Sequence, residues 1–234
     1  MSLRIVVLNP KGGSGKTTIA TNLLAAYAAA GQRAALIDRD RQGSAMRWLR
    51  QRPESLPKIH GIAAFEEPPA NVTRSFAMRV PAETERVVVD TPAALDRQQM
   101  IDAVRQADKI LVPVLPSQID IHAVTRCVAD LLLHAKVARD RPVLGVVANR
   151  VRKNTLAYAS LMRFLDSLDI PVIAELRDVQ AYVRAAEAGL GLFDLKPHEA
   201  GAELEQWRRM LAWIDQDGQP APVQIDARRP ASPR

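Results

Sequence analysis

Ten consecutive residues hold the most legible chemistry in this chain: Asn9-Pro10-Lys11-Gly12-Gly13-Ser14-Gly15-Lys16-Thr17-Thr18. Small residues let backbone N–H groups close on an anion. Between a strand and a helix such a loop cradles phosphate, because the first N–H groups of the helix are unpaired and its dipole favours negative charge. The flanks fit. Arg4-Ile5-Val6-Val7-Leu8 reads as a buried strand, and Ile19 to Ala30, rich in Ala and Leu, reads as a helix. Lys16 has the place of the lysine that reaches β- and γ-phosphates, and Thr17 that of the hydroxyl that binds Mg²⁺. The expected nucleotide contacts are Lys11, Gly12, Gly13, Ser14, Gly15, Lys16, Thr17 and Thr18. The strict pattern G-x-x-x-x-G-K-[ST] fails at one point. Pro10 stands where its first Gly belongs, and a second lysine, Lys11, follows.

The other chemical residues end apolar runs. Arg33-Ala34-Ala35-Leu36-Ile37 ends in Asp38-Arg39-Asp40, and Val87-Val88-Val89 ends in Asp90-Thr91-Pro92. Ile110 to Val114 leads into Pro116-Ser117-Gln118-Ile119-Asp120, and Val143 to Ala148 ends at Asn149. Val172-Ile173-Ala174 is the last strand expected. Helices are expected at Ser44 to Gln51, Ile119 to Val137, Thr155 to Leu168, Val179 to Ala188 and Glu199 to Ile214. Residues 53–84 hold five prolines, with a short apolar run at Gly61 to Phe65 and a possible helix at Asn71 to Met78. Continuous apolar strands alternating with amphipathic helices predict a doubly wound α/β fold, a mostly parallel sheet covered by helices on both faces. Ligands of such sheets sit at the carboxyl ends of the strands, where these candidates recur.

A chain of 234 residues suits one such domain, expected over residues 1–216. From Asp217 onward Pro, Gln and Arg dominate, so residues 217–234 are expected to be a disordered tail. Aromatics are only 4% against 47% apolar residues, so the core should be aliphatic. No apolar run has the length of a membrane span. The chain enters a strand at once, so no secretory leader is expected. The single Cys127 rules out an internal disulfide and suits a reducing cytoplasm. The net charge of +6 is concentrated early: residues 1–60 hold 10 Lys/Arg against 3 Asp/Glu, whereas 139–216 hold 11 against 11. A basic chain often meets polyanions.

The loop with its early lysine resembles the deviant Walker A loop of the ParA/MinD family of P-loop ATPases. The resemblance extends over about residues 3 to 214. It implies ATP and Mg²⁺ as ligands, with Lys11 reaching across a dimer interface to the partner's nucleotide. Asp38-Arg39-Asp40-Arg41-Gln42-Gly43-Ser44 resembles the family's D-x-D-P-Q-G segment, with Arg41 in place of Pro. By resemblance Asp40 orients the attacking water and Asp38 lies near the Mg²⁺ shell. The catalytic set is then Lys11, Lys16 and Asp40, and the metal set Thr17, Asp38 and Asp90. Asp90 follows an apolar run as a Walker B carboxylate does. Asn149 matches an adenine-contacting Asn, or is a turn residue. The Val114 to Asp120 stretch resembles the family's proline-containing segment after its central strand, and serves a dimer interface or ends its strand.

The resemblance further implies an ATP-dependent homodimer that binds DNA without sequence preference, a partner protein that stimulates hydrolysis, and a cytoplasmic, nucleoid-associated location. That cycle positions plasmids, chromosomes or large protein assemblies. Candidate DNA contacts are Arg152, Lys153, Arg163, Arg184, Lys196 and Arg208, with Arg47 and Arg50 as a rival surface. The end of the chain, Val223 to Arg234, has prolines and no apolar stripe, which argues against a membrane-docking helix. One cysteine is too few for an iron–sulfur relative. The tail has no Tyr, unlike tyrosine-kinase relatives. An ATP-dependent enzyme acting on a small molecule is the alternative.

Overall fold

The computed structural model describes residues 2–68, 70–135, 137, 143–168, 170–201 and 203–216, so the expected tail at 217–234 lies outside them. Among the described residues, seven strands form one sheet: β1 (Leu3–Val7), β2 (Ala34–Asp38), β3 (His60–Ala63), β4 (Arg86–Asp90), β5 (Lys109–Val114), β6 (Leu144–Val151) and β7 (Val172–Arg177). Their spatial order is β3-β2-β4-β1-β5-β6-β7, and every pair is parallel.

The β-branched runs explain the strands, and the two-residue period divides their side chains between faces. Ile5, Val7, Val88 and Leu111 pack on one face; Val6, Leu8, Val87, Val89, Ile110 and Val112 pack on the other. Helices α1 (Lys16–Ala29), α2 (Ser44–Gln51), α7 (Gln180–Glu187) and α9 (Glu203–Asp215) cover the first face. Helices α4 (Arg97–Val104), α5 (Gln118–Leu133) and α6 (Leu156–Asp166) cover the second. Among the described residues, α3 (Arg74–Ala77) and α8 (Pro197–Ala200) are α-helices of a single turn. Helix α1 is buried almost all round, which its run of Ala and Leu permits.

Several boundaries differ from those expected. The apolar run near Gly61 is edge strand β3, and the possible helix at 71–78 shrinks to the single turn α3. Helix α5 stops at Leu133 rather than Val137, and β6 runs past Asn149 to Val151. The single helix expected over 199–214 is split, because Gly201, at φ 55° and ψ −142°, ends α8 in a conformation open mainly to glycine. Helix α4 went unread, although its start carries a capping box. The Asp96 carboxylate accepts from Gln99 N and the Gln99 side chain accepts from Asp96 N.

Candidate functional site

The phosphate loop leaves the carboxyl end of β1, at the centre of the sheet, where strand order reverses. The loop is held from three sides. Asn9 is fully buried; its Nδ2 donates to Pro113 O at 2.5 Å and its Oδ1 accepts from Lys11 N at 2.7 Å. Ala94 N donates to Pro10 O at 2.7 Å, which joins the loop to the segment after Asp90. Asn149 Nδ2 donates to Ser14 O at 2.8 Å. These supports carried no signal in the sequence: Ala94 acts through its backbone N–H, and the Asn9 side chain bonds a backbone carbonyl 104 positions away.

Gly13 and Gly15 have φ of 76° and 94°. A Cβ on Gly15 would come within 2.1 Å of Asn149 Nδ2, so the loop closes on Asn149 only without a side chain there. Asn149, expected either against adenine or as a turn or helix-entry residue, is buried and supports the loop.

Lys16 opens α1, is 7% exposed, and donates from Nζ to Lys11 O at 3.1 Å. Burial lowers the pKa of its ammonium, while the carboxylates of Asp90 and Asp40 oppose that shift. Thr17 Oγ1 donates to Asp90 Oδ2 at 2.7 Å, while Asp90 Oδ1 is buried with no partner among the described residues. Burial pushes the Asp90 carboxyl up to about 7; Thr17 opposes this, and Asp38 adds to it.

Asp38 is fully buried at the end of β2, opposite Asp90 in the β2–β4 pairing. Its Oδ1 accepts from Asp40 N and its Oδ2 from Met46 N, both at 3.0 Å. Burial raises its pKa, and these N–H groups counter the rise. Asp40 is partly exposed at the rim of a cavity of ≈ 740 Å³ that Phe65, Pro92 and Leu95 also line. The turn after it closes without proline: Gly43 N donates to Asp40 O at 2.8 Å, and exposed Arg41 holds the second position of that turn, where Pro fits well.

The structure thus brings Lys16, Thr17, Asp38, Asp40 and Asp90 to one edge of β1, β2 and β4. A hydroxyl beside one buried, half-satisfied carboxylate is an oxygen donor set that suits Mg²⁺, which keeps several waters and takes one or two carboxylates. The Lys11 ammonium lies 2.6 Å from Asp120 Oδ2 of the same chain. Nothing in the sequence links residues 109 positions apart.

The six candidate DNA contacts are not gathered on one face. Arg163 is on α6; Arg184 and Arg208 are on α7 and α9, across the sheet. Arg152 and Lys153 follow β6 and pair with Asp178 at 3.0 Å and Glu175 at 3.2 Å. Lys196 is exposed just ahead of α8, and Arg47 and Arg50 are exposed on α2. No described helix is long and apolar enough to cross a membrane.

A parallel sheet with this strand order and a glycine-rich loop between β1 and α1 defines a P-loop nucleotide-binding protein. Residues 5–193 match the CobQ/CobB/MinD/ParA nucleotide-binding domain, and the chain belongs to that family. It is 33% identical over 215 residues to the maintenance of carboxysome distribution protein A of Gloeobacter kilaueensis, covering 91% of this chain and 94% of that one. The protein of the same name from Halothiobacillus neapolitanus is 27% identical over 209 residues, covering 86% and 93%. Among solved structures, the MinC:MinD cell division protein complex of Aquifex aeolicus has the same fold. Its TM-score is 0.69 at 20% identity, with 94% of this chain and 98% of that chain covered.

Proposed function

We propose that this protein is a ParA-like ATPase. It pairs as an ATP-dependent dimer, binds DNA without sequence preference, and hydrolyses ATP to position a cargo. The observation that carries this reading is the convergence of Lys16, Thr17, Asp38, Asp40 and Asp90 around the glycine loop. Lys16 and the loop N–H groups bind the phosphates, and Thr17 and Asp90 hold Mg²⁺, with Asp38 behind them. Mg²⁺, when bound, supplies neutralising charge to the phosphate oxygens. Asp40, whose N–H donates to Asp38 Oδ1 and whose Oδ1 accepts from Gln42 N, is partly open to solvent and orients the attacking water. Lys11 offsets the repulsion between two triphosphates from across the dimer.

The names of the two relatives favour a large protein assembly as cargo over a plasmid. The location follows from the DNA reading: cytoplasmic, on the nucleoid, with a partner protein that stimulates hydrolysis. ATP turnover measured with and without duplex DNA tests the proposal. Slow, Mg²⁺-dependent turnover that rises with DNA and a partner protein is expected. Turnover that requires a small acid or amine would replace it with the small-molecule enzyme.

A further inference from the structure

The contact between Lys11 and Asp120 bears on how a dimer is licensed. Asp120 is 2% exposed, Lys11 34%. The Asp120 Oδ2 also accepts from the Ser117 hydroxyl, while its Oδ1 is buried without a partner among the described residues. Ser117 caps α5 and Asp120 lies in the first turn, so the helix dipole and the serine support the carboxylate independently of Lys11. On the other side, the Lys11 carbonyl holds Lys16 Nζ, the group a bound triphosphate must recruit. One residue is thus tied at its backbone to the phosphate-binding lysine and at its ammonium to a buried acid.

We infer that Asp120 is a positioning residue that keeps Lys11 within its own protomer, and that Lys11 exchanges between Asp120 in cis and the partner's nucleotide in trans. This rests on the proposed role of Lys11 across the dimer. An ammonium 2.6 Å from a buried carboxylate is not available to a second molecule's phosphates. Forming the sandwich therefore breaks one such contact in each protomer and leaves two buried acids short of a cation. The serine and the helix dipole keep that cost moderate, so the contact acts as a releasable latch. A triphosphate that draws Lys16 from the Lys11 carbonyl frees the backbone to which the latch is attached. Without nucleotide the early lysine stays folded in, and two protomers lack the charge that would join them.

Asp120→Asn keeps the shape and the cap while removing the charge, and Asp120→Ala is the second variant should the amide refold the contact. Two measurements apply to the full chain. Acylation of Lys11 in the nucleotide-free protein, followed by mass spectrometry with exposed Lys58 as reference, should rise several-fold in either variant. Sedimentation with a slowly hydrolysed ATP analogue should show dimerisation tightened about tenfold, or about 1.4 kcal/mol shared by two latches. Unchanged Lys11 labelling overturns the latch, and so does a weaker dimer in both variants. A wild-type chain that stays monomeric with the analogue overturns the trans lysine itself, a result the labelling comparison does not mimic.

Discussion

At the scale of single residues, Asp90 shows how burial prepares a metal ligand. Its carboxyl titrates near 7 instead of the usual 3.8, with desolvation as the leading cause. Between those values the folded protein holds a proton that the unfolded chain has lost, so stability falls as pH rises through the window. The nucleotide-free protein should therefore lose stability from pH 5 to pH 8 relative to Asp90→Asn, by on the order of a few kcal/mol. Lys16, Asp38 and Asp40 share this field, so thermal melts of both proteins across that range are the measurement; parallel profiles would remove the effect. Ionised Asp90 is also the metal-binding form, so Mg²⁺–nucleotide affinity should rise with pH past 7. The neighbouring residues separate binding from chemistry. Lys16→Ala should abolish productive nucleotide binding, seen by titration of a fluorescent ATP analogue. Asp40→Ala should bind ATP as wild type does and lose about a hundredfold in turnover. Unchanged turnover would take Asp40 out of the catalytic set.

At the scale of elements, the helix after Asp40 is anchored to the far end of the chain. Arg52, just beyond α2, makes a bidentate pair with Asp194 at 2.7 and 2.9 Å. Both side chains are almost fully buried, at 4% and 1% exposure. Asp194 Oδ2 also accepts from Gly191 N, and Trp48 Nε1 donates to Leu190 O. Arg52→Ala leaves a buried carboxylate without its cation and should cost about 3–5 kcal/mol, read by denaturant melts. A loss below that range would mean that water reaches Asp194. This clamp was not legible in the sequence, because its partners lie 142 positions apart and neither follows a local pattern. What was legible is what local chemistry dictates. The apolar runs gave β1, β2, β4, β5, β6 and β7, and the glycine loop gave the start of α1. The stretch with five prolines hid β3, since an edge strand of four residues leaves little periodicity. The recurrence of polar residues at strand ends pointed to the site. The loop supports through Asn9, Ala94 and Asn149 came only with three-dimensional structure.

At the scale of the whole molecule, two protomers and a polyanion must meet on surfaces that no single element defines. Lys11→Ala should weaken ATP-dependent dimerisation more than nucleotide binding by the monomer; sedimentation that matches wild type would rule out the trans role. DNA binding depends on how charge segregates, because residues 139–216 carry equal numbers of basic and acidic side chains. Arg152 and Lys153 already face carboxylates, so a phosphate would have to compete for them. Arg184, Lys196 and Arg208 are exposed, and no ion pair to them occurs among the described residues. They lie on or beside helices of one face, while Arg163 lies on the other. Converting those three to Glu should weaken binding to unrelated duplexes uniformly, and should flatten the salt dependence by about one unit per lost phosphate contact. Arg163→Glu should do less. The ATP dimer doubles the contacts, so titrations at two salt concentrations should show affinity rising steeply with ATP and little with ADP. If Arg47→Glu with Arg50→Glu removes binding instead, the interface is α2, next to the Asp40 turn, and DNA would sit beside the hydrolytic residues. Equal binding in both nucleotide states would mean that dimerisation adds no contacts and that the exposed arginines are surface charge alone.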